Sequence, residues 1–263
     1  MKLCVFASGS SGNCLLISDR KTNILIDAGL SMRRIQDFLS QNGLLWRDVN
    51  GVLITHEHSD HICGLETILK RTSVPVYAPH TVANRLRGRY PMLDGVLHIV
   101  PAGEAFSVGD LKVTAFHTPH DTDESVGYRV EGSAVFALAT DMGHVTEEIR
   151  RGLLGADAVL IEANHDLQML RDGPYPFPLK RRILSEHGHL SNADCALLAA
   201  ELVRSGTRKL ILGHLSRENN RPELALGTVS AALAGLDAEL FAAPPVGPLT
   251  ITLGEDELCS ALS

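Results

Sequence analysis

The sequence Thr55-His56-Glu57-His58-Ser59-Asp60-His61 decides how the rest of this chain is interpreted. It follows the apolar run 51–54, and this order predicts a buried strand that ends in a polar loop. In α/β folds, the ends of strands carry the chemistry. The stretch holds three imidazoles and two carboxylates, which are ligands that a borderline divalent metal prefers. It therefore predicts a metal site at the end of a strand.

The spacing within this stretch predicts two metal positions. His56 and His58 alternate as in a strand, so both can point to one side. Asp60 and His61 come after the turn and can face a second position. The helical zinc-protease motif requires a second His four residues after the first, and Asp60 stands there instead. The alternative is a solvated polar loop with chance histidines.

Composition limits the class of protein. The chain has 263 residues, of which 44% are hydrophobic and 21% charged, as in an ordinary globular protein, and we expect a single domain over 1–263. The net charge of −7 excludes binding of polyanions by bulk charge, although a local basic track remains compatible with it.

Cysteine usage predicts a reducing compartment. The five cysteines form no CxxC pair, and their number is odd, so a disulfide framework is not expected. For Cys63 we expect a small buried residue that opens a helix. The apolar run at the N-terminus is too short for a signal peptide, and no run approaches membrane-spanning length. We therefore expect a soluble cytoplasmic protein without a membrane partner.

The pattern of elements predicts an α/β fold built as a layered αββα sandwich. Helical spacing predicts an amphipathic helix over 31–41, and a further helix with Pro in its first turn is predicted over 222–236. Ser191 with Asp194 predicts the start of a long helix. Strand signals over 96–100, 111–116, 126–130 and 134–139 predict a largely antiparallel half-sheet.

Three further polar residues that follow apolar runs complete a candidate ligand set. They are His120, Asp141 and His214. His56, His58 and His120 would hold one ion, and Asp60, His61 and His214 the other, with Asp141 between them. His117 competes with His120, which we favour because Pro119 places it just past the strand. Two adjacent metals are a known solution to hydrolysis, because they acidify a water and stabilise the charge on entering and leaving oxygens.

In order and spacing, Asp27, His56-x-His58-x-Asp60-His61, His120, Asp141 and His214 resemble the metallo-β-lactamase superfamily. The resemblance implies a four-layer αββα sandwich with a dinuclear site at one edge. A closer likeness, to the YycJ/WalJ branch, covers nearly the whole chain and implies a metal-dependent phosphodiesterase with 5′-to-3′ exonuclease activity on DNA. It rests on the stretches 7–13, 55–61, 164–166, 180–185, 188–192 and 214–220.

The resemblance also suggests roles for residues outside the ligand set. Asp27 would accept an N–H from a ligand imidazole and fix its tautomer, although it is equally read as a turn cap. His189 precedes the helix capped at Ser191 and is favoured as proton donor to the leaving oxygen; the alternative is that it orients the loop. His165 would bind substrate, transfer a proton or stabilise a turn.

Substrate contacts are assigned by charge and position. Ser216, Asn219 and Asn220 would contact phosphate or form a turn. Lys180 and Arg181 belong to the strongest basic run, which would contact a nucleic-acid backbone or form a solvated helix face. Arg85, Arg87 and Arg89 are further candidates for backbone contacts.

The ligand set together with the resemblance to the YycJ/WalJ branch predicts a dinuclear hydrolase of phosphodiester bonds, with nucleic acid as the expected substrate and a hydroxide between the metals as attacker. Asp60 counts both as ligand and as catalytic residue. Zinc and manganese suit the donor set, and iron is a further candidate. A glyoxalase II-like thioesterase and a small-molecule cyclic phosphodiesterase are the alternatives. A non-enzymatic protein with a vestigial site is disfavoured, because such a site has no need for every ligand. The oligomeric state stays open, with a dimer among the alternatives.

Overall fold

The computed structural model describes residues 1–254, and Cys259 lies outside the described residues. Two seven-stranded sheets form the centre of the molecule. Each sheet is antiparallel on one side and parallel on the other. The mixed order explains why both alternating and continuously apolar strand patterns occur in the sequence.

The first sheet has the strand order β14-β1-β2-β3-β4-β5-β6. Its strands are β1 (Lys2–Ala7), β2 (Cys14–Asp19), β3 (Thr22–Ile26), β4 (Gly51–Leu53), β5 (Val76–Ala78), β6 (Leu97–Ile99) and β14 (Leu249–Thr252). The second sheet has the order β13-β12-β11-β10-β9-β8-β7. Its strands are β7 (Ala105–Val108), β8 (Leu111–His117), β9 (Val126–Glu131), β10 (Val135–Ala139), β11 (Ala158–Glu162), β12 (Lys209–Gly213) and β13 (Glu239–Ala242).

Helices connect the strands and cover the outer faces of both sheets. They are α1 (Met32–Gln41), α2 (Ser59–Ile62), α3 (Leu65–Arg71), α4 (His80–Arg89), α5 (Glu147–Leu153), α6 (Leu167–Asp172), α7 (Phe177–Ile183), α8 (Asn192–Arg204) and α9 (Pro222–Ala232). Short 3-10 helices lie at Trp46–Asp48 and Pro91–Leu93. The predicted cap at Ser191 is confirmed, because its side chain accepts a hydrogen bond from Asp194 N. Ser31 caps α1 in the same way and accepts one from Arg34 N.

Three apolar clusters separate four layers of structure. The first packs α1, α3 and α4 against one sheet, with Leu39 and Val82 among its members. The second lies between the sheets and draws residues from Leu3 to Leu253. The third packs α5, α8 and α9 against the other sheet. The predicted αββα sandwich is therefore confirmed. Because the middle cluster draws on both halves of the chain, we infer a single domain.

Three expectations about elements are wrong. Strand β6 pairs in parallel with β5 of the first sheet, so it does not belong to the antiparallel series that follows it. Helix α9 ends at Ala232 rather than at residue 236, because Leu233 already adopts the non-helical conformation of a C-cap. Cys63 is exposed and ends α2 instead of opening a helix.

Candidate metal centre and active site

The stretch 55–61 bridges the end of β4 and one turn of helix. Ile54 N still pairs with Tyr77 O at 2.9 Å, so the chain leaves the sheet in an extended conformation. His58 remains extended as the N-cap of α2, with φ −64° and ψ 149°. Asp60 and His61 then lie within the helical turn, where His61 N donates to His58 O at 3.0 Å. The change from extended to helical backbone directs the two pairs of side chains to different positions.

Three of the candidate residues follow strands in a backbone conformation that is uncommon for residues other than glycine. Asp27, Asp141 and His214 have φ of 60°, 56° and 54°, and each lies within two residues of a strand end. Asp and His tolerate this left-handed region better than most residues. The turns direct their side chains across the ends of the sheets, which brings residues distant in sequence into one cluster.

The structure brings the candidate ligands together in overlapping groups. His56, His58 and His120 form one group, and Asp60, His61 and His214 form another. Within each group the ligand atoms lie within 4.8 Å of one another. These are the two sets that the sequence predicted. His117 does not join them, because its side chain is half exposed and pairs with Glu148 at 3.0 Å.

Asp141 lies between the two groups. Its Oδ1 is 3.8 Å from His120 Nε2 and 3.5 Å from His214 Nε2. Its Oδ2 is 3.3 Å from His61 Nε2. The carboxylate therefore faces both groups at once.

Several donor atoms at this site are buried without a hydrogen-bond partner. They include His56 Nε2, His214 Nε2 and Asp141 Oδ2. Buried polar atoms are nearly always paired, so a cluster of unpaired acceptors is costly unless something else satisfies them. Divalent cations would satisfy all three, and imidazole with carboxylate is a suitable donor set. The residues present therefore fit a metal centre.

Asp27 supports one ligand from behind. His61 Nδ1 donates to Asp27 Oδ2 at 2.7 Å, while Thr55 N donates to Asp27 Oδ1 at 2.9 Å. Because the carboxylate only accepts, Nδ1 of His61 must carry the proton, and Nε2 is left free to face the site. Asn13 Nδ2 lies 3.0 Å from His61 Nε2, and in this tautomer the amide N–H points at the lone pair of that nitrogen.

Glu162 plays the corresponding part on the other side, and sequence reasoning gave it no role. It is fully buried at the end of β11. Its Oε1 accepts from Nδ1 of both His214 and His189, each at 2.8 Å, and its Oε2 accepts from Met142 N and Leu190 N. One carboxylate thus orients both imidazoles toward the site. The sequence does contain a signal for this role, because a charged residue ends an otherwise apolar strand, and a buried charge requires hydrogen-bond partners.

The pKa values reflect a dense mixture of charges. Burial favours the neutral form of His214, but Asp141, Asp60 and Glu162 outweigh it and raise its pKa to about 10. Burial raises the pKa of Glu162, but His189 and His214 outweigh it and lower that pKa to about 2. Burial lowers the pKa of His56 well below its usual range, and His61 adds to the effect. Metal cations would displace the protons that balance these carboxylates.

The loop 8–13, which connects β1 to β2, positions ligands from both sheets. Ser8 Oγ accepts from His214 N at 2.8 Å. Asn13 Nδ2 donates to Asp60 Oδ2 at 3.3 Å, and Asn13 N donates to Asp60 O at 2.8 Å. The loop therefore links β1 to the ligands on both sides of the site.

A cavity of about 210 Å³ opens onto the cluster. His120, His189 and His214 form its floor, while Ser10 and Ser216 contribute hydroxyls to its walls. Tyr175, Leu179, Arg182 and Ile183 close the side formed by α7 and the segment before it. Arg182 donates from Nε to Asp121 Oδ2 at 2.6 Å, so its charge is partly balanced at the rim.

The other predicted residues lie around this cavity rather than in it. His165 is buried, and neither ring nitrogen has a hydrogen-bond partner. Asn219 and Asn220 are also buried, and Asn220 Nδ2 donates to Ala163 O at 2.8 Å. These placements favour structural roles for both asparagines.

The basic residues named from the sequence divide into paired and unpaired side chains. Lys180 and Arg181 lie on α7 and line a neighbouring groove. Arg85 pairs with Glu57 and Asp123, so its charge is already engaged.

The four described cysteines are free thiols. No helix within residues 1–254 combines the length and apolar character that crossing a membrane demands.

A single family model covers all of the candidate ligands. The Beta-lactamase superfamily domain model matches residues 22–215, a range that holds Asp27 and every candidate ligand from His56 to His214. The chain therefore belongs to the β-lactamase superfamily.

Curated relatives narrow this further. The chain is 40% identical over 233 residues to exodeoxyribonuclease YycJ of Bacillus anthracis, covering 87% of this chain and 88% of that protein. It is 38% identical over 240 residues to exodeoxyribonuclease WalJ of Streptococcus pneumoniae, covering 90% and 89%. The predicted likeness to this branch is confirmed.

Among solved structures, the metallo-β-lactamase fold protein YhfI of Bacillus subtilis aligns with a TM-score of 0.71 at 14% identity, covering 95% of this chain and 99% of that one. This match supports the fold.

Proposed function

We propose that this protein is a dinuclear metal-dependent phosphodiesterase that removes nucleotides from the 5′ end of DNA. The observation that carries the proposal is the convergence of two three-residue ligand groups on Asp141. Its relatives YycJ and WalJ are named exodeoxyribonucleases and align over most of the chain. A pair of divalent cations supplies an acidified water and neutralises charge on the phosphate when bound. Zinc and manganese are the metals we propose for this donor set.

The chain's own residues would bind and orient the substrate. Ser10 and Ser216 present hydroxyls to the cavity, and Arg182 places a guanidinium at its rim. We assign these three groups to the scissile phosphate and its neighbour. The hydrogen bond from Asn13 would hold the Asp60 carboxylate in one orientation. A fixed orientation of this ligand would help to position the attacking water.

His189 is the residue we assign as proton donor to the leaving oxygen. It lines the cavity, and its Nδ1 is held by Glu162 at 2.8 Å, so Nε2 is the atom left to serve the substrate. His165 is less suited to this role, because its ring is buried. We also propose a cytoplasmic, reducing location, since the described cysteines are free.

The test is a substrate panel with the metal-loaded protein. Zn²⁺ or Mn²⁺ protein is incubated with 5′- and 3′-labelled DNA, with RNA, with bis(p-nitrophenyl) phosphate and with a glutathione thioester. We expect stepwise loss of nucleotides from the 5′ end of DNA and turnover of the small diester. Hydrolysis of the thioester alone would establish the thioesterase alternative, and no phosphodiester turnover would refute the proposal.

Two histidines after the same strand provide matched variants. His120→Ala removes a proposed ligand, and we expect activity to fall more than about 100-fold, because loss of a ligand's supporting partner alone costs about 10–100-fold. His117→Ala removes a half-exposed imidazole paired with Glu148 and should leave activity near wild type. Equal effects of the two variants would contradict the assignment of His120.

A further inference from the structure

A second groove lies beside the active-site cavity, on the far side of α7. It has a volume of about 510 Å³, within the range of pockets that hold small organic groups. Its walls come from the end of α6, through Leu170 and Arg171, and from α7, through Phe177, Lys180, Arg181 and Leu184. Three of its lining residues are apolar and three are basic. The proposed metal chemistry uses none of them.

The apolar part of this groove is unusually open to solvent. Phe177 is 75% exposed, the largest exposed fraction of any large apolar side chain within residues 1–254. Leu184, the C-cap residue of α7, is 50% exposed. An aromatic side chain that is three-quarters exposed contributes little to folding, and together with Leu184 it forms an exposed apolar patch of the kind that marks a binding site.

The charges around the groove are all positive and unpaired. Arg171, Lys180 and Arg181 form no ion pair with any residue of the described range 1–254, and Lys180 Nζ donates only to Arg171 O at 2.7 Å. In contrast, Arg182 on the same helix is engaged by Asp121. In a chain of net charge −7, three free cations beside one exposed aromatic ring form a local site for an anion that carries a flat ring.

The groove is continuous with the proposed active site through α7. Leu179, Arg182 and Ile183 face the catalytic cavity, whereas Phe177, Lys180 and Arg181 face the groove, as expected for opposite sides of one helix. A helix with side chains is about 10–12 Å across, which three nucleotides at about 3.4 Å each would span. A strand held at the metals therefore reaches the groove within a few nucleotides.

We propose that this groove binds a single-stranded segment of the nucleic-acid substrate, with one base stacked on Phe177 and the flanking phosphates beside Arg171, Lys180 and Arg181. The inference rests on the proposed function, which it deepens by naming an unpaired strand as the form of substrate that is held. Only an unstacked base can cover an aromatic side chain, and such stacking is tolerant of sequence. A second copy of this chain fits less well, because a symmetric contact would bring these cations against one another.

The proposal is tested by binding rather than by cleavage. Fluorescently labelled phosphorothioate oligonucleotides, which resist hydrolysis, are titrated with the metal-loaded full chain and followed by anisotropy. One oligonucleotide carries thymine bases, and the other has the same charge but abasic sites. Wild type should bind the thymine strand about tenfold more tightly, and Phe177→Ala should abolish this preference. Phe177→Trp should retain it, whereas Phe177→Leu, with similar apolar area but no ring, should behave like Phe177→Ala.

The cations are tested through the salt dependence of the same binding. Arg181→Gln should lower the slope of log affinity against log salt by about 0.7, the value for one phosphate contact on a single strand. Arg34→Gln, an exposed arginine on α1 at the first sheet, is the matched control and should leave the slope unchanged. An equal slope for wild type and Arg181→Gln would overturn this part of the proposal.

Further outcomes separate this proposal from the proposed function. Turnover of bis(p-nitrophenyl) phosphate by Phe177→Ala at the wild-type rate shows that the metal site is intact. If wild type hydrolyses no phosphodiester, the proposed function fails, while the base preference still reports on the groove. Equal affinities of wild type and Phe177→Ala for the thymine strand would overturn the groove proposal. So would a wild-type dimer in sedimentation that Phe177→Ala converts to a monomer, because the groove would then be an interface between copies.

Discussion

Asp27→Asn should weaken one metal position while leaving the fold in place. Asp27 is buried, and each of its oxygens has one nitrogen donor: Oδ1 accepts from Thr55 N at 2.9 Å, and Oδ2 accepts from His61 Nδ1 at 2.7 Å. The Thr55 hydroxyl lies within 3.1 Å of both oxygens, and because a hydroxyl can donate or accept, it adapts to either group. In the variant the Thr55 N–H keeps the amide oxygen at the Oδ1 position. The new NH₂ group then takes the place of Oδ2 and points a donor at Nδ1 of His61.

The consequence is an inverted tautomer of His61. Nδ1 must now accept, so the proton moves to Nε2, which is the atom that faces Asp60, Asp141 and the proposed metal. Loss of such a supporting partner costs about 10–100-fold in metal affinity, or about 1.4–2.7 kcal/mol. Asparagine also tolerates the φ of 60° at this position, so the change adds little backbone strain.

The assay is a competition titration of metal-free protein against a chromophoric chelator at neutral pH. Wild type should bind two equivalents. Asp27→Asn should bind one equivalent with nearly unchanged affinity and the other about 10–100-fold more weakly. Asp19→Asn removes another buried carboxylate, which is held by Ser133 at the end of β2 that lies away from the loop 8–13, and this variant should bind metal as wild type does. Wild-type affinity for both equivalents in folded Asp27→Asn would refute the reasoning.

Four further outcomes are expected. Burial raises the pKa of Asp19, but hydrogen bonds from Ser133 and the charge of the N-terminal amine outweigh burial and lower that pKa below its usual value. Asp19→Asn should therefore lower the free energy of unfolding in urea by about 1–3 kcal/mol above about pH 4. The difference from wild type should shrink as the pH falls further, because the Asp19 carboxylate is then protonated. Glu162→Gln should lower the single-turnover rate constant about 10–100-fold, because His189 and His214 lose the acceptor that orients them, and an unchanged rate constant would contradict this. Gly29→Ala should destabilise the protein by more than about 2 kcal/mol in the same urea assay, because its Cβ would lie 1.7 Å from Asp60 O. Removing metal with a chelator should lower the Tm by an amount that grows with the metal concentration of the reference sample, as ligand linkage requires.

The local part of the site could be predicted from short-range patterns in the chain. The alternation of His56 and His58, followed by Asp60 and His61, depends only on the geometry of a strand that turns into a helix. Apolar runs ending in polar residues identified the strand ends, and the helix cap at Ser191 followed from hydrogen bonding within four residues. Such features need no knowledge of distant contacts, so they could be predicted from the chain alone.

Strand pairing could not be predicted in the same way. β6 looked like the first member of an antiparallel series, yet it pairs with β5, because the partner of a strand is chosen by the packing of whole layers. Cys63 is exposed for a similar reason: its surroundings are set by how α2 meets α3 and not by its own small size.

The remaining part of the site depends on contacts between elements that are far apart in the chain. Glu162 is an ordinary strand-end carboxylate in sequence. Its hydrogen bond to His214 arises because β11 and β12 lie side by side, and its hydrogen bond to His189 arises because the segment before α8 packs over the end of β11. Likewise, Phe177 is one more aromatic residue in the sequence, and only the packing of α7 leaves its ring in solvent beside three cations. Hydrogen-bond partners and exposure depend on residues far away along the chain, so the folded molecule must supply them.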